Sequence, residues 1–213
     1  MHMTSDSLLP GFADPVFDSQ SVFRTVLDAL SHPGRICNVA SDNAGPAPLM
    51  PATTALCLAL LDFESRVWLQ PEARDSDPNS ALHRYLRFHC GCPITMDSRS
   101  AHFAIVHDAK SLPSLNTFHP GDAVFPDRST TVIIQVSKLV GDEDDQNAVT
   151  VRLRGPGIRA TASFACAGLP SRFWQEWREN AELFPLGVDV ILVDGKRMVG
   201  LPRTVRVEAQ ACM

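Results

Sequence analysis

The run from Phe184 to Val193, continued by Asp194-Gly195 and then Arg197 to Leu201, limits what this chain can fold into more than any other stretch. Val188, Val190, Ile191, Leu192 and Val193 crowd aliphatic, mostly β-branched side chains at a density that suits a buried strand. Asp194-Gly195 supplies the positive-φ turn of a two-residue hairpin, so Arg197 to Leu201 returns as its partner. Pro202 has no N–H to give to a ladder and ends that partner, so Arg203 is expected to leave the sheet at its edge.

A chain of 213 residues can bury a core without disulfides, since a body of this size hides roughly 70% of the surface its unfolded form would expose. Its 45% hydrophobic and 20% charged residues are those of an ordinary globular protein. A net charge of −5 argues against gripping bulk nucleic acid, which needs a basic face. Sixteen of the 19 basic residues are Arg, the side chain that holds carboxylates and phosphates through paired donors. The six cysteines follow a polar, acidic start with no signal-peptide pattern, and are expected to be reduced cytosolic thiols. The longest apolar run, Ala55 to Leu61, is far short of the ~20 residues a membrane helix needs, so a soluble, cytoplasmic protein is expected.

Asp18 or Ser19 can cap a helix running to Ser31, with Val22, Phe23, Val26, Leu27 and Leu30 on one face, stopped by Pro33-Gly34. Arg35 to Val39 reads as a strand, and a Pro-rich connector leads to an apolar, central helix from Ala52 to Leu61. Val67 to Leu69 and Phe103 to Val106 read as strands, Ser80 to His89 as a helix with Leu82, Tyr85 and Leu86 inward, and Glu72 to Asn79 as a surface loop. Thr130 to Val136 and Val149 to Leu153 are expected to pair across an acidic turn at 141–147. Ser171 to Leu183 reads as a helix with Phe173, Trp174 and Trp177 in its apolar stripe. The pattern predicts an α/β fold: residues 18–213 as a single domain, a mixed β-sheet with hairpins covered by helices, preceded by an N-terminal extension at 1–17.

No phosphate-binding glycine loop, nucleophile elbow or zinc-protease motif is present. His89-Cys90-Gly91-Cys92 is the one dense group of soft ligands, but its Cys-x-Cys spacing does not match structural zinc hooks, and a helix end with buried thiols is the plainer reading; no metal is expected. Gly155-Pro156-Gly157 among Arg152, Arg154 and Arg159 could offer amides and guanidiniums to an anion. Alternation at 152 and 154 favours an ordinary turn with outward arginines.

Taken in order, several runs resemble one family. They are Phe23-Arg24 to Leu30-Ser31-His32-Pro33-Gly34, Leu86 to His89 before Cys92-Pro93, Phe125-Pro126-Asp127 with Ser129-Thr130-Thr131, Leu153 to Ile158, and the hairpin through Thr204. The resemblance is to the H subunit of the bacterial carbon–phosphorus lyase system, PhnH, from about residue 18 to about residue 208. It implies a relative of the pyridoxal-phosphate-dependent transferase fold without the cofactor site, and no cofactor is expected. Such chemistry needs a lysine, and only Lys110, Lys138 and Lys196 exist, none in a strand-end pocket context. The resemblance further implies a homodimeric, auxiliary subunit with no catalytic residue of its own. With the G, I and L subunits it would help form ribose 1-alkylphosphonate 5-triphosphate from ATP and an alkylphosphonate, before the J subunit breaks the carbon–phosphorus bond. Arg24, Arg87 and Arg203 lie in the matching runs with His32 and His89 beside them, and are the candidates for contacting a ligand or partner. For Arg24 an ion pair with Asp28 is the alternative, and for Arg203 a fixed ion pair at the sheet edge. The competing reading is a stand-alone transferase or lyase with its own nucleotide or pyridoxal-phosphate pocket.

Overall fold

The structure, a computed structural model, describes residues 8–41, 43–71, 80–141 and 148–208. In chain order its elements are α1 (Pro15–Ser31), β1 (Cys37–Asn38), α2 (Pro51–Leu60), β2 (Val67–Leu69), α3 (Ala81–His89), β3 (Ile94–Thr95), β4 (Phe103–Val106), β5 (Thr131–Gln135), β6 (Lys138–Val140), β7 (Val149–Arg154), β8 (Ala162–Ala167), α4 (Phe173–Glu182), β9 (Asp189–Asp194), β10 (Arg197–Leu201) and β11 (Arg206–Val207).

Seven strands form a mixed sheet in the order β1-β10-β9-β5-β4-β2-β3. β10 runs antiparallel to both its neighbours, and the pairings from β9 through β5, β4 and β2 to β3 are parallel. The continuous apolar runs of β5 and β9 follow from burial on both faces: Val132, Ile134, Val190 and Leu192 enter one core, while Ile133, Ile191 and Val193 enter the other. α1, α2 and α3 supply the second of these cores. The first is closed by α4 and by a second, four-stranded antiparallel sheet in the order β11-β7-β8-β6. The expected single sheet covered by helices therefore holds for one face only.

The expected pairing of 130–136 with 149–153 does not occur. β5 lies between β4 and β9, and β7 pairs with β8 and β11 in the small sheet. The period already separates them: β5 is buried at four successive positions, whereas β7 alternates exposed and buried and can face only one core. β8, Ala-Ser-Phe-Ala-Cys-Ala, has no β-branched residue and gave no strand signal. Residues 142–147 of the expected acidic turn lie outside the described residues.

The hairpin of β9 and β10 forms with a shifted turn. Asp194 pairs with Arg197, so the two loop residues are Gly195 and Lys196, and Gly195 alone takes positive φ (+60°), the pattern of a type II′ turn. β10 is an inner strand, so Arg203 leaves at a strand's end and not at the sheet's edge. Gly200 is also fixed by packing, because a Cβ there would lie 2.6 Å from the Ala29 carbonyl oxygen of α1.

α1 starts earlier than the expected Asp18 or Ser19. The Asp14 carboxylate accepts from the Val16 and Phe17 N–H groups at 3.1 Å each, and Pro15 is preset for the first turn. Its buried face is narrower than expected: Val22, Val26 and Ala29 are inside, while Phe23 is 47% and Leu27 51% exposed. The expectations for α2, α3 and α4 hold: α2 is central, Tyr85 and Leu86 are buried, and Trp177 is buried with its Nε1–H donating to Val205 O at 3.1 Å.

Candidate functional site

Arg203 lies just past the end of β10, and its guanidinium faces inward, with 13% of the side chain exposed. Nη2 donates to Asp189 Oδ2 at 2.5 Å and to Ser129 Oγ, Nε donates to Asp189 Oδ1 at 3.2 Å, and Nη1 donates to the Pro126 carbonyl at 2.7 Å. The Arg203 backbone N–H also donates to Asp189 Oδ1 at 2.8 Å. Every guanidinium nitrogen is thus engaged inside the chain. The clamp ties the start of β9 to the end of β10 and to the segment before β5, joining two of the runs that carry the family resemblance. The ion-pair reading of Arg203 is the one this geometry favours. Asp189, its partner, was missed because an acid within an apolar run gives no sign of what it will face.

A second junction joins the turn after α1 to the turn after β7. Gly34 (φ +85°) and Gly157 (φ +80°) allow it: a Cβ on Gly157 would sit 2.1 Å from Ser31 O. Around it lie His32, Arg35 and Arg159, lining an open cleft of about 420 Å³, with Arg24, Asp28 and Cys37 in an adjoining cleft. Asp28 is the hub. Its carboxylate meets His32 Nδ1 at 3.0 Å and Arg35 Nη1 at 3.2 Å, and accepts from the Cys37 thiol at 3.5 Å. Burial, and then Asp28 itself, push the Cys37 thiol up. The alternative Arg24–Asp28 pair is not formed; Arg24 is exposed and has no ion-pair partner among the described residues. Of the five candidates, Arg24 and His32 line these two adjoining clefts, one in each. Arg35 lies in both clefts, just ahead of β1, though its place in the expected strand 35–39 gave no reason to single it out. Arg152 and Arg154 project outward from β7, where Glu208 pairs with both, as an ordinary half-exposed strand requires.

Arg87 and His89 belong to the last turn of α3. Arg87 is exposed and unpaired among the described residues. His89 instead holds the segment ahead of α1: its Nε2 bonds Leu9 O at 2.9 Å, while Tyr85 Oη donates to Pro10 O at 3.0 Å. A Cβ on Gly11 would lie 2.8 Å from His89 Nδ1, so only glycine lets this segment approach the ring so closely. Part of the expected N-terminal extension is thereby built into the body of the protein.

A deeper cleft of about 350 Å³ opens between α4 and residues 114–120, with Leu115, Phe118 and Val188 at its floor and Arg99 and Glu179 among its polar lining. Glu176 beside it is fixed, accepting from Leu115 N–H at 3.0 Å and from Arg172 at 2.9 Å. None of the three lysines lines any of the clefts described. Lys110 is exposed after β4, Lys138 begins β6, and Lys196 is in the hairpin loop. These positions do not fit a Schiff-base lysine for pyridoxal phosphate. Among the described residues no helix is long and apolar enough to cross a membrane, and no group of three or more His, Cys, Asp or Glu is placed to hold a metal ion.

The family model described as bacterial phosphonate metabolism protein (PhnH) matches residues 10–208. The chain is 35% identical over 199 residues to the alpha-D-ribose 1-methylphosphonate 5-triphosphate synthase subunit PhnH of Rhizobium meliloti (strain 1021), covering 93% of this chain and 94% of that protein. It is 29% identical over 188 residues to the "Putative C-P lyase subunit protein HtxG" of Stutzerimonas stutzeri, covering 88% of this chain and 85% of that one. Both names describe subunits, and neither supports a stand-alone transferase or lyase.

Proposed function

Because this chain belongs to the PhnH family of bacterial phosphonate metabolism proteins, we propose that it is an auxiliary subunit of a carbon–phosphorus lyase system. It would act with the G, I and L subunits in forming ribose 1-alkylphosphonate 5-triphosphate from ATP and an alkylphosphonate, with the J subunit breaking the carbon–phosphorus bond afterwards. The observation that carries this reading is the near end-to-end match to a protein named as a subunit of that synthase. The geometry agrees with a role exercised through surfaces. Residues in the family-like runs meet each other at chain crossings, in the Arg203 clamp and the Gly34–Gly157 junction, and stiffen the body. Large apolar side chains face outward on α1 and α3, with Phe17 and Phe88 each 72% exposed.

In this reading Arg24 and Arg87, which are exposed and have no ion-pair partner among the described residues, meet partner subunits. His32, His89 and Arg203 hold in shape the surfaces that are met. A homodimer, a cytoplasmic location, residues 18–213 as a single domain, and descent from the pyridoxal-phosphate-dependent transferase fold without its cofactor belong to the same proposal. The mixed, mainly parallel seven-stranded sheet and the misplaced lysines support that descent.

The test is co-expression of the tagged chain with the G, I, J and L subunits of the same system. The chain is expected to recover them in stoichiometric amounts and to be required for consumption of ATP and methylphosphonate. Arg24→Glu with Arg87→Glu is expected to lower recovery at unchanged melting temperature. Conversion of ATP and methylphosphonate by this chain alone would refute the proposal.

A further inference from the structure

Cys90-Gly91-Cys92 closes α3 and has no part in the reading above. Cys90 is the C-cap residue, and its N–H donates to Leu86 O at 2.9 Å. Gly91 follows at φ +66°, a left-handed turn that a residue with a Cβ resists. The reversal brings Cys92 back under the helix end, where its Sγ contacts the same Leu86 carbonyl at 3.9 Å. Each S–H is aimed at a backbone carbonyl on the helix side, Cys92 at Leu86 O and Cys90 at Cys57 O. Cys90 is part-exposed while Cys92 is 1% exposed, so solvent reaches one sulfur of the pair. A third thiol, Cys57, is fully buried, and its carbonyl lies 3.5 Å from Cys90 Sγ.

We propose that Cys90 and Cys92 are a modification site, a dithiol that a small peroxide converts reversibly to a disulfide within the loop. Residues two apart have Cα atoms separated by at most ~7 Å, and a reversal at glycine brings them into the ~4.4–6.8 Å window of disulfides. The glycine also removes the Cβ that would crowd so small a ring.

In the reaction, one sulfur of the pair attacks a peroxide oxygen. The O–O bond breaks, hydroxide leaves and takes up the displaced proton as water, and a sulfenic acid remains. The second sulfur then attacks the first: the S–S bond forms, the S–O bond breaks, and the oxygen leaves as a second water. Two thiols are oxidised by two electrons, and hydrogen peroxide is reduced to two waters. A dithiol reductant reverses the change by thiol–disulfide exchange. The part-exposed Cys90 sulfur is the one that meets the peroxide, and the buried Cys92 sulfur is the one that resolves the sulfenic acid.

Trypsin cuts after Arg87 and Arg99, which places both cysteines in the peptide 88–99. The full chain is treated with hydrogen peroxide, unfolded, alkylated and digested. The proposal expects that peptide to be unalkylated and lighter by two hydrogens, with recovery of two alkylation sites after dithiothreitol, while Cys57 stays alkylatable throughout. Oxidation of Met96 in the same peptide adds an oxygen and is distinguished by mass. Cys92→Ser is expected to leave Cys90 as a sulfenic acid trapped by dimedone; if this variant does not fold, the wild-type masses decide. Two alkylated cysteines after peroxide, a link from either to Cys57, or a link between chains would each overturn the proposal.

Discussion

Removing the Arg203 guanidinium takes a shared donor away from Asp189, Ser129 and the Pro126 carbonyl. Arg203→Ala leaves the Asp189 carboxylate, itself only 22% exposed, with the Arg203 backbone N–H as its remaining donor in the clamp, and leaves Ser129 Oγ and the Pro126 carbonyl without their donors. Loss of one partner of a largely buried ion pair typically costs about 3–5 kcal/mol, because the surviving charge is stranded away from water. For a chain of this size each kcal/mol lowers the melting temperature by about 2–4 °C, so a drop of about 6–20 °C is expected. Arg203→Lys should recover little of it, since one ammonium cannot span Asp189, Ser129 and the Pro126 carbonyl at once. Differential scanning calorimetry of the wild type, Arg203→Ala, Asp189→Ala and the double variant gives the pair's coupling as the shortfall from additivity, about 1–3 kcal/mol for contacting residues. Additive losses, or an Arg203→Ala protein melting within about 2 °C of wild type, would refute the clamp. A surface role for Arg203 predicts that second result together with loss of partner binding.

Two further expectations come from other parts of the molecule. Gly157→Ala and Gly195→Ala both place a Cβ on a left-handed residue, but only at 157 would it meet backbone, 2.1 Å from Ser31 O; nothing lies within 4 Å at 195. Urea titration should therefore give about 1–2 kcal/mol for Gly195→Ala from backbone strain alone, and ~3 kcal/mol or more for Gly157→Ala, where the junction must open; equal losses would contradict the packing. His102 is held below the ordinary imidazole value by burial first and then by Arg66, whose Nη2 lies 3.1 Å from His102 Nε2. The folded state then binds fewer protons than the unfolded one, so stability is highest with the ring neutral and falls as pH drops through the unfolded value of about 6.5 toward the lower folded one. An NMR titration should place the His102 midpoint below that value, and His102→Gln should flatten the acid side of the stability profile; a midpoint above it would refute the assignment.

The family, the hairpin, the central α2 and the buried aromatic stripe of α4 could all be read from the sequence, because each rests on local pattern: runs of β-branched residues, a turn glycine, helical spacing of apolar residues. Asp14-Pro15 was an equally local start signal that the more familiar cap residues Asp18 and Ser19 obscured. Strand partnership was a different matter. β5 and β7 are close in sequence and both strand-like, yet they belong to different sheets, because pairing depends on which face each run must bury and on what else competes for that face. Exposure on α1 was settled in the same way, since periodicity marks Phe23 and Leu27 as apolar but only the line along which the helix lies on β10 decides whether anything covers them.

The site follows this division. Composition made arginine the residue to watch, and the family-like runs singled out five positions. An arginine's role, however, is set by the acceptors within reach, and those come from distant segments: Asp189, Ser129 and Pro126 turn Arg203 inward, Asp28 pairs with Arg35 and His32 and not with Arg24, and Leu9 occupies His89. Local pattern along the chain marks most of the elements and every side chain that can carry charge. Which charges are neutralised within the chain and which face outward depends on how distant segments are folded together, because a charge is satisfied by distance in space and not by distance along the backbone.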